Sequence, residues 1–238
     1  DYVAAYNTIK QMSNPDRELR AVLQRVAVYC AVEAIGRGEW ESAEKLLKES
    51  EQIDLVPKYN ALTLYWLGEV AYHKGELEQA VAYYEGYMRR APKDAVEYHY
   101  ANYGLGYVFL SLGKMDRAQS AFKGFVRDYT LRDGYLYDAH NRLGDAHFAV
   151  REFKEARNAY NVVANTSTEE RHYANYQLAL VDGIDNNMSS KIERLKSIVA
   201  GDEGPYIDDA WYELGHTYIT SERYAEGATT LSSFVKEN

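Results

Sequence analysis

The chain has 238 residues, 46% hydrophobic and 26% charged, with a formal net charge of −9. That composition is globular rather than disordered, and no apolar run reaches the ~18 residues of a membrane-spanning helix. The negative balance argues against nucleic acid as a partner, because phosphates need a lysine- and arginine-rich surface. The one cysteine, Cys30, excludes an intramolecular disulfide and a cysteine-based zinc site.

Residues 1–15 open with DYVAAYNTIKQM, which reads as the second helix of a pair, with Tyr2, Ala5, Ile9 and Met12 in packing places. No first helix precedes it, and LSSFVKEN closes the chain without a polar capping helix. The expectation is a slice of a longer array. Residues 16–54 then carry AVYCAVEAI followed by GEWESAEKLL. The same two-part signature recurs as LYWLGEVAY and GELEQAVAYY in 55–92, and as NYGLGYVFL and GKMDRAQSAF in 93–131. It returns as HNRLGDAHF and REFKEARNAY in 132–166, as NYQLALVDG in 167–201, and as DAWYELGHTY and ERYAEGATTL in 202–238. Aligned on Ala31, Gly68, Gly106, Gly144, Ala179 and Gly215, the intervals are 37, 38, 38, 35 and 36 residues. A fixed period of that size marks a solenoid.

Both halves of each repeat place apolar residues three and four apart, and no strand-like alternation of useful length appears. The fold class is therefore all-α. Pro57 and Pro205 suit first helical turns, Asp94 suits a helix cap, and Ser167 with Glu170 has capping-box spacing. Gly38, Gly75 and Gly113 are expected in the turns between paired helices. Trp211, Leu214, Gly215 and Tyr218 share one narrow helical stripe. Gly215 lets a partner helix approach, while Leu214 and Tyr218 fill the space beside it. In the second halves Trp40, Ala43 and Leu47 correspond to Leu77, Ala80 and Tyr84, to Met115, Ala118 and Phe122, and to Phe153, Ala156 and Tyr160.

These residues resemble the tetratricopeptide repeat family. Trp211, Leu214, Gly215 and Tyr218 match its W-x2-L-G-x2-Y half, and Ala118 with Phe122 matches A-x3-F. The resemblance implies a right-handed superhelical solenoid of antiparallel helix pairs over 1–238, about six repeats plus a leading half repeat. The intervals exceed the family's usual period of about 34. With linkers such as VRDYTLRDGYLYDAH and GDEGPYIDDAW, the chain is similar to bacterial cell-envelope members, the outer-membrane assembly lipoproteins and the Tol–Pal coordinator type. That implies a periplasmic or outer-membrane-associated protein, with the cytoplasm as the other location.

Catalytic chemistry is not legible. There is no HExxH, GxSxG or phosphate-binding loop, and no cofactor is implied. His140 and His147 are seven apart, ~10 Å along a helix, too far to share one metal ion directly. His147 takes the place that Tyr218 holds in the last repeat, so it reads as a packed histidine. Cys30 stands where other repeats carry Leu and reads as a small hydrophobe. Asn165 and Asn187 sit in sequons, motifs short enough to arise by chance. Asp138, Asn141 and Asp145 share a helix face, either a solvated surface or an anchor for a basic or amide group.

A second stripe runs ~130° from the packing stripe on each first helix. It holds Tyr65, Glu69 and Tyr72 beside Leu62, then Tyr100, Tyr103 and Tyr107 beside Leu110. Asp138, Asn141 and Asp145 follow beside Phe148, then Tyr173 and Tyr176 beside Leu180, then Tyr212 and His216 beside Asp209 and Ile219. The resemblance places this stripe on the concave inner surface. It is rich in Tyr, carries acids and has almost no Lys or Arg, unlike family members that grip a C-terminal carboxylate. The alternative for any one Tyr is packing between neighbouring first helices. The expected function is a non-catalytic scaffold binding an extended or helical protein segment, basic in character, in an envelope assembly. The competing reading is a sensory or regulatory repeat region of a larger enzyme or transcriptional regulator. The fifth repeat is expected to be the softest, because Asp182 and Lys191 stand in places elsewhere apolar or small, and Gly183 lies inside a helix.

Overall fold

The computed structural model describes the backbone of residues 1–201 and 204–237. Asp202 and Glu203 of the last linker, and with them the start of the 202–238 repeat, lie outside the described residues. Among the described residues the chain forms thirteen α-helices and no strand. They fall into two compact units, residues 1–128 and 129–238.

The first unit holds α1 (Tyr2–Lys10), α2 (Arg17–Gly36), α3 (Trp40–Ile53), α4 (Pro57–His73), α5 (Leu77–Met88), α6 (Val96–Ser111) and α7 (Met115–Asp128). Helix α1 packs on α2, and α2 pairs with α3, α4 with α5, and α6 with α7. The pairs stack through α3 on α4 and α5 on α6, and the first helices α2, α4 and α6 touch in series. The second unit holds α8 (Gly134–Ala149), α9 (Phe153–Ala164), α10 (Glu170–Ile184), α11 (Met188–Val199), α12 (Ile207–Thr220) and α13 (Tyr224–Glu237), with pairs α8–α9, α10–α11 and α12–α13 stacked through α9 on α10 and α11 on α12, and α8 touching α10.

The helix pairs close on one repeated contact. Ala43, Ala80, Ala118 and Ala156 are fully buried, and so are Leu47, Tyr84, Phe122 and Tyr160 one turn on. Each such large side chain stabilises the fold by about 1.5–3 kcal/mol through burial. Opposite Tyr84, Phe122 and Tyr160 stand Gly68, Gly106 and Gly144 of the first helices. A Cβ on Gly68 would come within 2.8 Å of the Tyr84 ring, one on Gly106 within 2.5 Å of Phe122, and one on Gly215 within 2.5 Å of Leu231. The glycine is thus demanded by helix proximity.

The turns inside the pairs also repeat. Gly38, Gly75 and Gly113 have φ of 74°, 77° and 68°, as expected of left-handed helix ends. In the later pairs the equivalent place, seven residues after the packing glycine or alanine, holds Arg151, Asn186 and Glu222, with φ of 63°, 59° and 61°. Sequence reasoning passes over these three because they are not glycines. The following N–H of Glu39, Glu76, Lys114, Glu152, Asn187 and Arg223 donates to the carbonyl five residues earlier at 2.8–2.9 Å in all six turns. That bond satisfies a carbonyl the helix end would leave bare, and so fixes the turn even without glycine.

Several expected helix starts are corrected. Pro57 does open α4. Pro205, however, precedes Tyr206, the N-cap of α12, and Ala95 rather than Asp94 stands at the start of α6. The Ser167–Glu170 box does not form: Glu169 is the N-cap of α10 and makes no side-chain bond there, while Thr166 and Thr168 bond to each other at 2.9 Å. Of the four packing places expected in α1, Ile9 is buried, but Tyr2 and Met12 are exposed.

Candidate functional site: the second stripe of the first helices

Residues at steps of three and four on an α-helix share a face, so each first helix brings its stripe residues to one side. In the first unit α4 supplies Tyr65, Glu69 and Tyr72. Tyr65 is only 6% exposed, with its ring 4.9 Å from Trp66 and 5.5 Å from Tyr87. It is a core residue, so the expected groove contact at this position is corrected. Glu69 accepts the Tyr84 hydroxyl at 2.7 Å and is also bonded by Tyr65. Burial raises its carboxyl above the ordinary range, against the lowering effect of those two hydroxyls. Tyr72 is half-buried.

On α6, Tyr100, Tyr103 and Tyr107 are half-buried. The Tyr103 and Tyr107 rings meet edge-on at 5.1 Å and lean on Phe122 at 6.2 and 5.7 Å, while Tyr100 lies 6.4 Å from Phe125. These three present one side to the stripe and rest the other on α7. That geometry suits an aromatic contact surface with a rigid backing.

In the second unit the acids of α8 are occupied. Asp145 accepts Arg142 at 2.6 Å, Tyr160 at 2.8 Å and Tyr173 at 2.7 Å. Burial still raises its carboxyl above the usual range. Asp138 accepts Arg142 at 3.3 Å. Asn141 is 1% exposed and donates to the Glu170 carbonyl at 3.1 Å, which makes it a helix-packing residue and corrects its expected groove role. Within this trio Asn141 and Asp145 join α8 to α9 and α10, while Asp138 holds Arg142 of its own helix. His147 is buried and bonds Glu152 at 2.5 Å, as a packed histidine should.

Tyr173 and Tyr176 of α10 are half-buried and gather around Tyr206, at 5.5 and 5.7 Å. On α12, Tyr212 is 60% exposed and stacks along His216 at 6.3 Å. The accessible stripe is thus Tyr72, Tyr100, Tyr103 and Tyr107 in one unit, and Tyr173, Tyr176, Tyr212 and His216 in the other. Sequence reasoning missed Arg142, Tyr206 and the buried partners Tyr84 and Tyr160. A signal for the last two was present. An acid directly follows the packing glycine (Glu69, Asp145) in the repeats whose second helix carries Tyr (Tyr84, Tyr160). Where Phe122, Leu231, Leu195 or Leu47 replaces that Tyr, the acid gives way to Tyr107, His216, Leu180 or Val32.

Among the described residues no three His, Cys, Asp or Glu side chains converge as a metal set, and no helix is long and apolar enough to cross a membrane. The tetratricopeptide repeat family model matches residues 31–95 and 99–170. No curated protein matches the chain in sequence. Among solved structures, MamA from Desulfovibrio magneticus RS-1 is 19% identical, over 74% of this chain and 93% of that one, with a TM-score of 0.63. YrrB, a repeat protein with an unusual peptide-binding site, is 17% identical over 80% and 91%, at 0.63. A tetratricopeptide repeat protein from Parabacteroides merdae ATCC 43184 is 12% identical over 90% and 80%, at 0.69. At these identities the likeness is one of fold.

Proposed function

The chain belongs to the tetratricopeptide repeat family, and from that premise we propose that it is a non-catalytic scaffold that binds a protein segment along the stripe of its first helices. The observation that carries this reading is the set of half-exposed tyrosines along the second stripe, Tyr72, Tyr103 and Tyr107 in one unit and Tyr173 and Tyr176 in the other. Large rings held at low rotamer entropy, each with one polar tip, supply contact area and hydrogen bonds to an extended or helical segment. YrrB, which shares the fold, has a peptide-binding site, and this supports the same class of ligand here.

A basic segment is favoured by the net charge of −9 and by exposed Asp209 at the start of α12. Glu69, Asp138 and Asp145 contribute less to that choice than their sequence positions imply, because tyrosines and Arg142 already occupy them. The long repeats and linkers, which resemble envelope members of the family, support a place in a bacterial envelope assembly.

The test is quantitative binding of a partner recovered by affinity capture. Tyr103→Ala and Tyr107→Ala should each weaken it about thirtyfold, ~2 kcal/mol, while Lys154→Ala on α9 leaves it unchanged. Because both rings rest on Phe122, circular dichroism must first show each variant folded. Unchanged affinity in both folded tyrosine variants would place the binding surface elsewhere.

A further inference from the structure

A cleft of about 520 Å³ opens in the second unit between α10, α11 and the start of α12. Arg171, His172 and Asn175 line it from α10, Arg194 and Ser197 from α11, and Tyr206 from the segment before α12. Arg171 and Asn175 lie about half a turn of helix away from Tyr173 and Leu180, so the arginine side of this cleft faces away from the tyrosine stripe, and the two share Tyr206.

Two guanidiniums line the cleft from different helices, against one carboxylate, Glu193, among the described lining residues. Arg171 is exposed and forms no ion pair among the described residues. Arg194 is held from behind: its Nε donates to Asp182 at 3.2 Å and one Nη to the Asn175 oxygen at 3.0 Å. Asn175 is fixed in turn, donating to the Ala164 carbonyl at 3.1 Å and the Arg171 carbonyl at 3.0 Å. The plane of the Arg194 fork is therefore set, and its second Nη is used by neither of those bonds. Pre-positioned guanidinium groups grip planar or tetrahedral oxyanions through paired charge-assisted hydrogen bonds. A partly enclosed site screens those bonds less than an open surface would.

We propose that this cleft binds a small oxyanion, a carboxylate or phosphate group gripped by Arg171 and Arg194, with the Ser197 hydroxyl and the His172 ring as further donors. The two arginines lie outside the tyrosine stripe, and failure of this proposal would leave the scaffold reading standing.

Calorimetric titration of the whole chain with succinate and with inorganic phosphate, at ionic strength held constant with chloride, tests it. One saturable site is expected for at least one anion. The stronger of the two identifies whether carboxylate or phosphate is the natural group. Arg171→Gln, which breaks no ion pair, should weaken that binding by at least about tenfold with the fold unchanged. Arg194→Lys keeps the charge but loses the fork, and should weaken it similarly. Absence of saturable binding by both anions, or equal affinity in folded Arg171→Gln, overturns the proposal.

Discussion

Tyr84 shows how much one side chain settles in this chain. Its ring lies against Gly68 of α4 and Gly104 of α6, where an added Cβ on either would come within 2.8 Å, and its hydroxyl ends on Glu69. Tyr84→Phe keeps the ring and leaves a buried carboxylate one donor short, which should cost about 1–3 kcal/mol in a urea melt. In a Glu69→Gln background the same change should cost less, the difference being the coupling between the pair. Gly144 faces Tyr160 as Gly68 faces Tyr84. Gly144→Leu should therefore destabilise by ~1–3 kcal/mol through overpacking. Gly36 has open space around it, so Gly36→Ala should be neutral or stabilising by up to about 1 kcal/mol. A melt in which Gly144→Leu matches wild type would mean the two helices do not meet there.

Among the elements, α10 and α11 depart most from their sequence reading. Asp182, Gly183 and Lys191 break the apolar pattern, which implies a weak repeat. Instead Asp182, 2% exposed, accepts Arg157 of α9 at 2.6 Å and Arg194 of α11 at 3.2 Å. Gly183 leaves room for the Lys191 stem, whose amine reaches Glu213 of α12 at 2.5 Å. Three helices are thus clamped through one carboxylate. Both arginines are about a quarter exposed, so removal of the carboxylate belongs at the low end of the range for broken buried pairs. Asp182→Ala should cost about 3 kcal/mol, with amide exchange accelerated first in α10 and α11. Exchange in this variant no faster than in wild type would leave the repeat as soft as its pattern implies. The lesson concerns which signals are local. Helix existence and the Ala43–Leu47 type of packing follow from spacing within one helix. The partners of Asp182 lie 25 residues before it and 12 after it, where no periodicity points.

Across the whole chain, the fold was legible because a period near 37 residues samples the same contact again and again, so errors at one repeat are corrected by the others. The stripe was legible only in outline. Periodicity places Tyr65 and Asn141 on the same face as Tyr103, yet burial is decided by what the neighbouring helix carries, and these two are covered. A composition of 23 tyrosines against 6 phenylalanines implies half-wet surfaces, but Tyr84, Tyr87 and Tyr160 are fully buried, and two of them spend their hydroxyls on acids. Those acids give the chain a distinctive pH response. Burial raises Glu69 above its unfolded value, so between that value, about 4.3, and the folded one the native state holds a proton that the unfolded state has released. Its contribution to stability is complete below that window and is lost as pH rises through it. Burial lowers His140, so its contribution is complete above about 6.5 and is lost as pH falls from there. Glu44 is lowered by the hydrogen bonds from Lys48 and Lys74, and its contribution fades only below about 4.5, outside the first window. Glu69→Gln should therefore gain stability relative to wild type as pH rises from about 4.5 towards 7. His140→Gln should gain relative to wild type as pH falls below about 6.5. Urea midpoints taken across that range separate the two limbs. A Glu69→Gln variant that loses ground with rising pH would show that the folded chain favours the carboxylate at this site, and the burial argument would fail there.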